Sequence, residues 1–459
     1  MPQEIGPLKQ VAFSDITEIE GFDNLHRSEG ILKEAKERAA SVFGAEETFF
    51  LVNGSTAGIL TALSAAARQG SRILVARNCH RSVYHTIYLR RMEPVYLYPG
   101  VVGGWGIADA ILPEQVEETL MRYPDTAAVI ITSPTYDGVV SDVEAIAAAA
   151  HRRGIPLIVD AAHGAHLGFA RGWPESPVRQ GADLVIQSLH KTLPALTQTA
   201  LLHVNGDRID RERIRRFEEI YQTSSPSYLL MGSIDACVRL MEAKGRQIME
   251  AFSLQLDEFH AGLAGLNQIA LSGREILRQG RMKDYDEGKL LIAAQGAGLW
   301  GGFLYKEMLA RYHLQMEMAG DSYVTAILTP WDKEEGLVRL SDALWDLDKR
   351  MTQGRVPKGV WMAPGCGGDG NLPYPILQPS VPLYEAMEAP RMMCPLSEAA
   401  GRSASDYVNL YPPGIPLAVP GEFLTQELIA QLEEYGRQGL NLQGVIKAED
   451  GTLHLPVIA

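Results

Sequence analysis

From about residue 35 to 205, short apolar runs alternate with stretches of helical periodicity. That alternation predicts a parallel sheet joined by crossover helices. Thr48–Val52, Arg72–Val75, Ala128–Ile131, Leu157–Val159 and Leu184–Ile186 are the expected buried strands. Each run gives way to polar or small residues: Asn53-Gly54-Ser55-Thr56, Asn78-Cys79-His80, Thr132-Ser133-Pro134-Thr135-Tyr136, Asp160, and Ser188-Leu189-His190-Lys191. Open α/β sheets bind ligands beyond the carboxyl ends of their strands, so the chemistry is sought in these words.

Further along, Leu230, Ile234, Val238 and Met241 recur at three- and four-residue spacing, which predicts a long helix leading out of the sheet region. The segment Thr352 to Pro390 is rich in Gly and Pro and reads as an ordered-loop connection. The expected organisation is an N-terminal arm (1–25), a large α/β domain (26–250), a small α/β domain (251–350), a linker (351–390) and a C-terminal domain (391–459). No internal repeat or low-complexity tract is visible.

A chain of 459 residues is long enough for two or three packed units. Its formal charge of -14 repels a nucleic-acid backbone, and 7% aromatic content is low for a base-stacking surface, so no nucleic-acid partner is expected. Cys79, Cys237, Cys366 and Cys394 are widely spaced, indicating neither a zinc site nor a disulfide framework. With no secretory signal pattern and no apolar run long enough to span a bilayer, a cytoplasmic protein is expected, with no membrane partner.

Asn53-Gly54-Ser55-Thr56-Ala57-Gly58 lies between a strand and a helical stretch expected over Ile59 to Arg68, an arrangement that can cradle phosphate with backbone N–H groups. An ordinary N-cap is the plainer reading. Asp160 closes an apolar strand and is followed by Ala161-Ala162-His163-Gly164, so its carboxylate invites a cationic partner such as a protonated pyridine nitrogen. It could equally cap a helix. Lys191 directly follows a buried strand, where lysines are rare unless paired or used, and Schiff-base chemistry is one such use. A solvated loop lysine is the alternative.

A phosphate cradle, a pyridine-directed acid and a Schiff-base lysine in this chain order resemble the fold-type I pyridoxal 5'-phosphate enzymes. More narrowly, Val52-Asn53-Gly54-Ser55-Thr56-Ala57-Gly58, Asn78-Cys79-His80-Arg81-Ser82-Val83, Ser133-Pro134-Thr135-Tyr136-Asp137-Gly138, Asp160-Ala161-Ala162-His163-Gly164-Ala165-His166 and Ser188-Leu189-His190-Lys191-Thr192-Leu193 resemble the bacterial ornithine/lysine/arginine decarboxylases. The likeness continues through Thr223-Ser224-Ser225-Pro226-Ser227-Tyr228, Tyr411-Pro412-Pro413-Gly414-Ile415-Pro416 and Pro420-Gly421-Glu422. It implies an aspartate-aminotransferase-like α/β fold and pyridoxal 5'-phosphate as cofactor. Lys191 would hold the cofactor, Asp160 would face its pyridine nitrogen, His80 would stack on the ring and Ala162 would pack the other face. Ser55, Thr56, Ser188 and His190 would take the phosphate, Thr223 would reach the phosphate of a neighbouring subunit, and His163 would lie near the cofactor O3' or the substrate carboxylate.

The implied reaction is decarboxylation of lysine, arginine or ornithine by a homodimer or an assembly of dimers. Another pyridoxal-phosphate reaction, or a cofactor-binding homologue without catalysis, stands as the alternative. Two departures accompany the resemblance. A Pro-Gly-His-Lys word usual near the family's N-terminus is not found here, and Ala161 stands where the family often has Glu. A cationic substrate also needs an acidic receptor, and Glu422 is the carboxylate nearest a family word.

Overall fold

The computed structural model describes residues 11, 15–294, 299–356, 374–411 and 414–459. The chain divides into two compact units, one formed by Met1–Val75, Leu112–Thr135 and Asp142–Glu250, the other by Ala76–Ile111, Tyr136–Ser141 and Ala251–Ala459.

In the first unit, adjacent strands run in the order Glu47–Leu51, Ala200–Val204, Leu184–Ser188, Leu157–Asp160, Ala128–Thr132 and Arg72–Ala76. The last four pair in parallel, whereas Ala200–Val204 is antiparallel to both of its neighbours. Strand Glu47–Leu51 therefore points the same way as the four parallel strands. Five carboxyl ends meet along one edge. The strands are apolar because both faces are covered: Val129, Ile130, Ile158, Val159, Val185 and Ile186 are completely buried.

The helix after the first strand spans Gly54–Ala66, beginning earlier than the sequence pattern suggests because Gly54-Ser55-Thr56 form its first turn. Gly58 shows how tightly it packs. A Cβ there would stand 2.6 Å from Leu51 Cδ1 and 3.0 Å from Ile186 Cγ2, so glycine allows the helix to press on the sheet. The expected long helix is present as Tyr228–Gly262.

The second unit holds a four-stranded antiparallel sheet in the order Ile269–Leu271, Lys289–Ala294, Tyr323–Ile327 and Met318–Ala319, with helices Gly301–Tyr312 and Glu334–Thr352. Strand Asp284–Tyr285 pairs with Val139–Val140. Toward the C-terminus, the strands Arg391–Pro395, Val408–Leu410, Ile415–Ala418 and Leu453–Ile458 enclose a core with helix Gln426–Gln438, using Val408, Leu417, Leu428, Leu432 and Val457. Of the expected linker, residues 357–373 lie outside the described residues, as do Pro412 and Pro413.

Candidate active site

The edge of the first unit gathers most of the residues singled out above. Strand Leu157–Asp160 ends in Asp160, which is 2% exposed and whose Oδ1 accepts a hydrogen bond from Ala162 N at 3.1 Å. Burial pushes its carboxyl up, while the Lys191 ammonium and the Ala162 N–H pull it down. An acid so desolvated gains most from a cation close by. The adjacent strand, Leu184–Ser188, leads directly into Leu189–Thr192, a single helical turn carrying His190 and Lys191. Lys191 Nζ stands 2.9 Å from Nε2 of His163, whose side chain is buried just after Asp160.

Three features around that amine suit an anion. Ser188 Oγ is buried without a hydrogen-bond partner among the described residues, a costly state unless a ligand fills it. The helix Gly54–Ala66 has no side-chain cap, so the N–H groups that follow Gly54 in its first turn remain available, beside half-buried Ser55 and exposed Thr56. Gly54 opens that turn at φ +74°, and its N–H donates to Gln198 O at 2.9 Å. The third feature is His190, held by its Nδ1–H on Thr199 O at 3.0 Å, so Nε2 is left as the other ring nitrogen. Burial lowers the His190 pKa, partly opposed by that carbonyl.

Gln222 and Gln198 fix the cradle from behind, and neither belongs to a recognisable word. Gln222 accepts from Val52 N at 2.7 Å and donates to Phe50 O at 3.1 Å, while Gln198 donates to Val52 O at 2.6 Å. Thr223 donates its backbone N–H to Asn53 Oδ1 at 3.3 Å, and its hydroxyl accepts from Ser225 N. Within one chain, Thr223 thus lies beside its own cradle residue. Ala162 is 8% exposed, small and close behind the carboxylate.

His80 belongs to the second unit. It caps helix Arg81–Arg90, with Nδ1 accepting from Ser82 N at 3.2 Å. A Cβ placed on Gly414 would stand 3.9 Å from its Nε2, which puts Gly414 beside this ring. Glu422 is 1% exposed and committed to Arg77, whose Nη2 donates to Oε2 at 3.1 Å. This is a correction to its expected place as receptor of a substrate cation: the carboxylate already neutralises a buried guanidinium of its own unit.

A pyridoxal 5'-phosphate fits these residues: an unpartnered buried hydroxyl and an uncapped helix for the phosphate, a desolvated acid for the ring nitrogen and a lysine amine in reach of a histidine. Among the described residues no group of three His, Cys, Asp or Glu side chains could hold a metal ion, and no helix is long and apolar enough to cross a membrane.

Comparison with known proteins adds an independent line. The family described as Orn/Lys/Arg decarboxylase, major domain, matches residues 9–275, and the C-terminal domain of the same family matches residues 370–454. Arginine decarboxylase of Bacillus subtilis is 32% identical over 446 residues, 96% of this chain and 88% of that protein. Arginine decarboxylase of Halalkalibacterium halodurans is 32% identical over 434 residues, 94% of this chain and 86% of that protein. Lysine decarboxylase LdcA of Pseudomonas aeruginosa is 30% identical over 262 residues, 52% of this chain and 35% of that protein. Among solved structures, lysine decarboxylase A from Pseudomonas aeruginosa matches with a TM-score of 0.84 at 20% identity, covering 99% of this chain and 76% of that one, a likeness of fold.

Proposed function

The chain belongs to the Orn/Lys/Arg decarboxylase family, and on that premise we propose that it uses pyridoxal 5'-phosphate, attached through Lys191, to release the α-carboxylate of arginine or lysine as carbon dioxide. It is an amino-acid decarboxylase, a carbon–carbon lyase acting on a basic amino acid. The observation that carries the cofactor reading is the pairing at the ends of two adjacent parallel strands: the buried Asp160 carboxylate on one, the Lys191 amine on the other.

When bound, the cofactor supplies a sink for the electron pair left at Cα as the carboxylate departs. The chain's own residues do the rest. Lys191 holds the cofactor aldehyde, and His163, 2.9 Å from Nζ, holds or moves a proton at that nitrogen. Asp160 presents fixed negative charge to the pyridine nitrogen from a site without bulk water. Ser55, Thr56, Ser188 and His190 bind the phosphate with the N–H groups of the Gly54–Ala66 helix, Ala162 leaves room for the ring, and His80 is the proposed stacking side chain.

We place arginine ahead of lysine. The named arginine decarboxylases align over 96% and 94% of this chain, against 52% for the lysine decarboxylase LdcA. A homodimer or an assembly of dimers, in which Thr223 serves a neighbour's phosphate, belongs to the same proposal, as do action in the cytoplasm and a place in polyamine formation. Among the described residues, Cys79, Cys237 and Cys394 are buried and form no disulfide, which suits a reducing compartment.

The test is a panel of arginine, lysine, ornithine, norleucine, aspartate and an aromatic amino acid on the purified protein with added cofactor. Agmatine from arginine, with one carbon dioxide per amine, is expected. A higher rate on norleucine, aspartate or the aromatic amino acid overturns the basic-substrate reading.

A further inference from the structure

The phosphate cradle is held from behind by Gln222, and Gln222 is itself held. Its Oε1 accepts from Val52 N, so its amide nitrogen is the donor, both to Phe50 O at 3.1 Å and to Glu218 Oε1. Glu218 is 2% exposed on the helix Arg211–Tyr221. A carboxylate so desolvated needs a cation. Among the described residues it pairs with His26, whose Nδ1 stands 2.9 Å from Oε2. Lys36 faces the same cleft but donates to Leu25 O and Ser28 Oγ.

His26 meets acceptors at both ring nitrogens, for its Nε2 is 3.1 Å from Thr223 O. A carbonyl can only accept, so Nε2 carries a hydrogen, and a neutral ring would turn the bare lone pair of Nδ1 onto a carboxylate oxygen. A proton therefore lies between Nδ1 and Oε2. The imidazolium–carboxylate pair is the favoured form, since Oε1 already accepts an N–H from Gln222. The hydrogen bond to Glu218 raises the pKa of the ring, against the opposing effect of burial. The loop that carries the ring is itself built to hold still. Asn24 Oδ1 accepts from His26 N at 2.9 Å, and the Asp23 carboxylate accepts from the N–H groups of Glu29, Gly30 and Leu32, each at 2.9 Å.

From this ring two routes reach the cradle, both inside the first unit. One runs through Glu218 and Gln222 to Phe50 and Val52. The other passes through the Thr223 backbone, whose carbonyl takes His26 and whose N–H donates to Asn53 Oδ1 at 3.3 Å. They end on Val52 and Asn53, the two residues that precede Gly54-Ser55-Thr56. The helix of Glu218 also grips the far end of the cradle helix, where Arg213 donates to Ser64 O at 2.9 Å and to Ala65 O at 2.8 Å.

We propose that His26 is a positioning residue for the cofactor phosphate: its imidazolium clamps Glu218 to the Thr223 carbonyl and so fixes Val52 and Asn53, on which the turn Gly54-Ser55-Thr56 is built. This rests on reading that turn as the phosphate site of a pyridoxal-phosphate enzyme. In this role His26 acts through its neighbours and touches neither cofactor nor substrate.

The experiment frees wild type, His26→Gln and Glu218→Gln of cofactor and titrates each with pyridoxal 5'-phosphate and with pyridoxal, which lacks the phosphate, following cofactor absorbance. His26→Gln is expected to weaken binding of pyridoxal 5'-phosphate about 10-fold, the size of one hydrogen bond to a charged group, while leaving pyridoxal binding unchanged. At saturating cofactor, kcat on arginine should return close to the wild-type value. Glu218→Gln, which strands no buried carboxylate, is expected to act in the same way and serves if His26→Gln does not fold. Equal weakening toward both ligands, or wild-type affinity for pyridoxal 5'-phosphate, overturns the positioning role while leaving the decarboxylase reading intact. A wild type that binds pyridoxal as tightly as pyridoxal 5'-phosphate overturns the phosphate site and the proposal with it.

Discussion

Lys191 Nζ and His163 Nε2 are 2.9 Å apart at the ends of neighbouring strands, and one of the two must be the donor. An ammonium gives its proton to a bare Nε2; a neutral amine takes one from Nε2–H. The pair is therefore a proton reservoir at the atom expected to attach the cofactor. Borohydride treatment of the purified yellow holoenzyme should fix the cofactor on Lys191 alone, as read by peptide mass spectrometry. Label on another lysine would remove the basis of the site.

His163→Ala should keep that label on Lys191 yet lower kcat by about 10²-fold, the usual size of a lost proton-transfer group. The Lys191 attachment and the rate are separate readouts. Loss of both together would make His163 a packing residue for the lysine.

Asp160→Asn preserves shape and the contact with Ala162 N but deletes the charge. Weakened cofactor retention and a rate about 10²-fold lower or worse are expected, in line with removing a preorganised electrostatic partner. A wild-type rate in the Asn variant would mean that the residue only shapes the strand end.

Protonation of a core histidine should set part of the acid sensitivity. His203 is completely buried between Thr48 Oγ1 at 2.8 Å and Gln187 Oε1 at 3.1 Å, and burial pushes its pKa down to about 3. Because the folded value lies below the ordinary 6.5, its contribution is fully present above pH 6.5 and is lost as pH falls toward 3. At about 1.4 kcal/mol per pH unit, the drop between pH 6.5 and 5 is roughly 2 kcal/mol. His203→Gln should flatten that part of the Tm–pH curve; an unchanged slope would locate the sensitivity elsewhere.

Gly164 offers a purely steric test. A Cβ there would meet Pro134 Cδ at 2.6 Å and Leu167 Cδ1 at 3.2 Å, and a proline ring cannot rotate aside. Gly164→Ala should destabilise the fold by about 1–3 kcal/mol. Differential scanning calorimetry showing an unchanged Tm would contradict the packing.

What the sequence made legible and what it hid divide by range. Asp160 and Lys191 could be found because both strands that carry them are short apolar runs, and the residue where apolarity stops is local information. Ser55 and Thr56 were equally visible, although the helix takes them into its first turn instead of starting at Ile59. The support behind the phosphate cradle was invisible, because no spacing rule links residues across such separations: Gln222 supports Val52 across 170 positions. Glu422 was read from a nearby motif, but only the fold shows that Arg77, 345 positions away, already holds it.

That last pair yields the sharpest stability prediction. Arg77 is fully buried, and its guanidinium donates to Glu422 Oε2 at 3.1 Å, Pro416 O at 2.6 Å, Leu417 O at 3.2 Å and the Tyr84 hydroxyl at 3.2 Å. Burial works against the Arg77 charge, but the Glu422 carboxylate together with the Tyr84, Tyr96 and Tyr98 phenols more than restores it; burial pushes the Glu422 carboxyl up, and Arg77 opposes that. Each charge is tolerable only because the other is present. Arg77→Met should cost about 3–5 kcal/mol, because a carboxylate is left buried without its cation. Adding Glu422→Leu removes the stranded charge, so the double variant should recover a large part of the loss. It should still turn over slowly, since Arg77 lies three residues before His80 and holds Pro416 and Leu417, just after Gly414. A double variant no more stable than Arg77→Met in urea denaturation would show that the carbonyl contacts, not the ion pair, carry the energy.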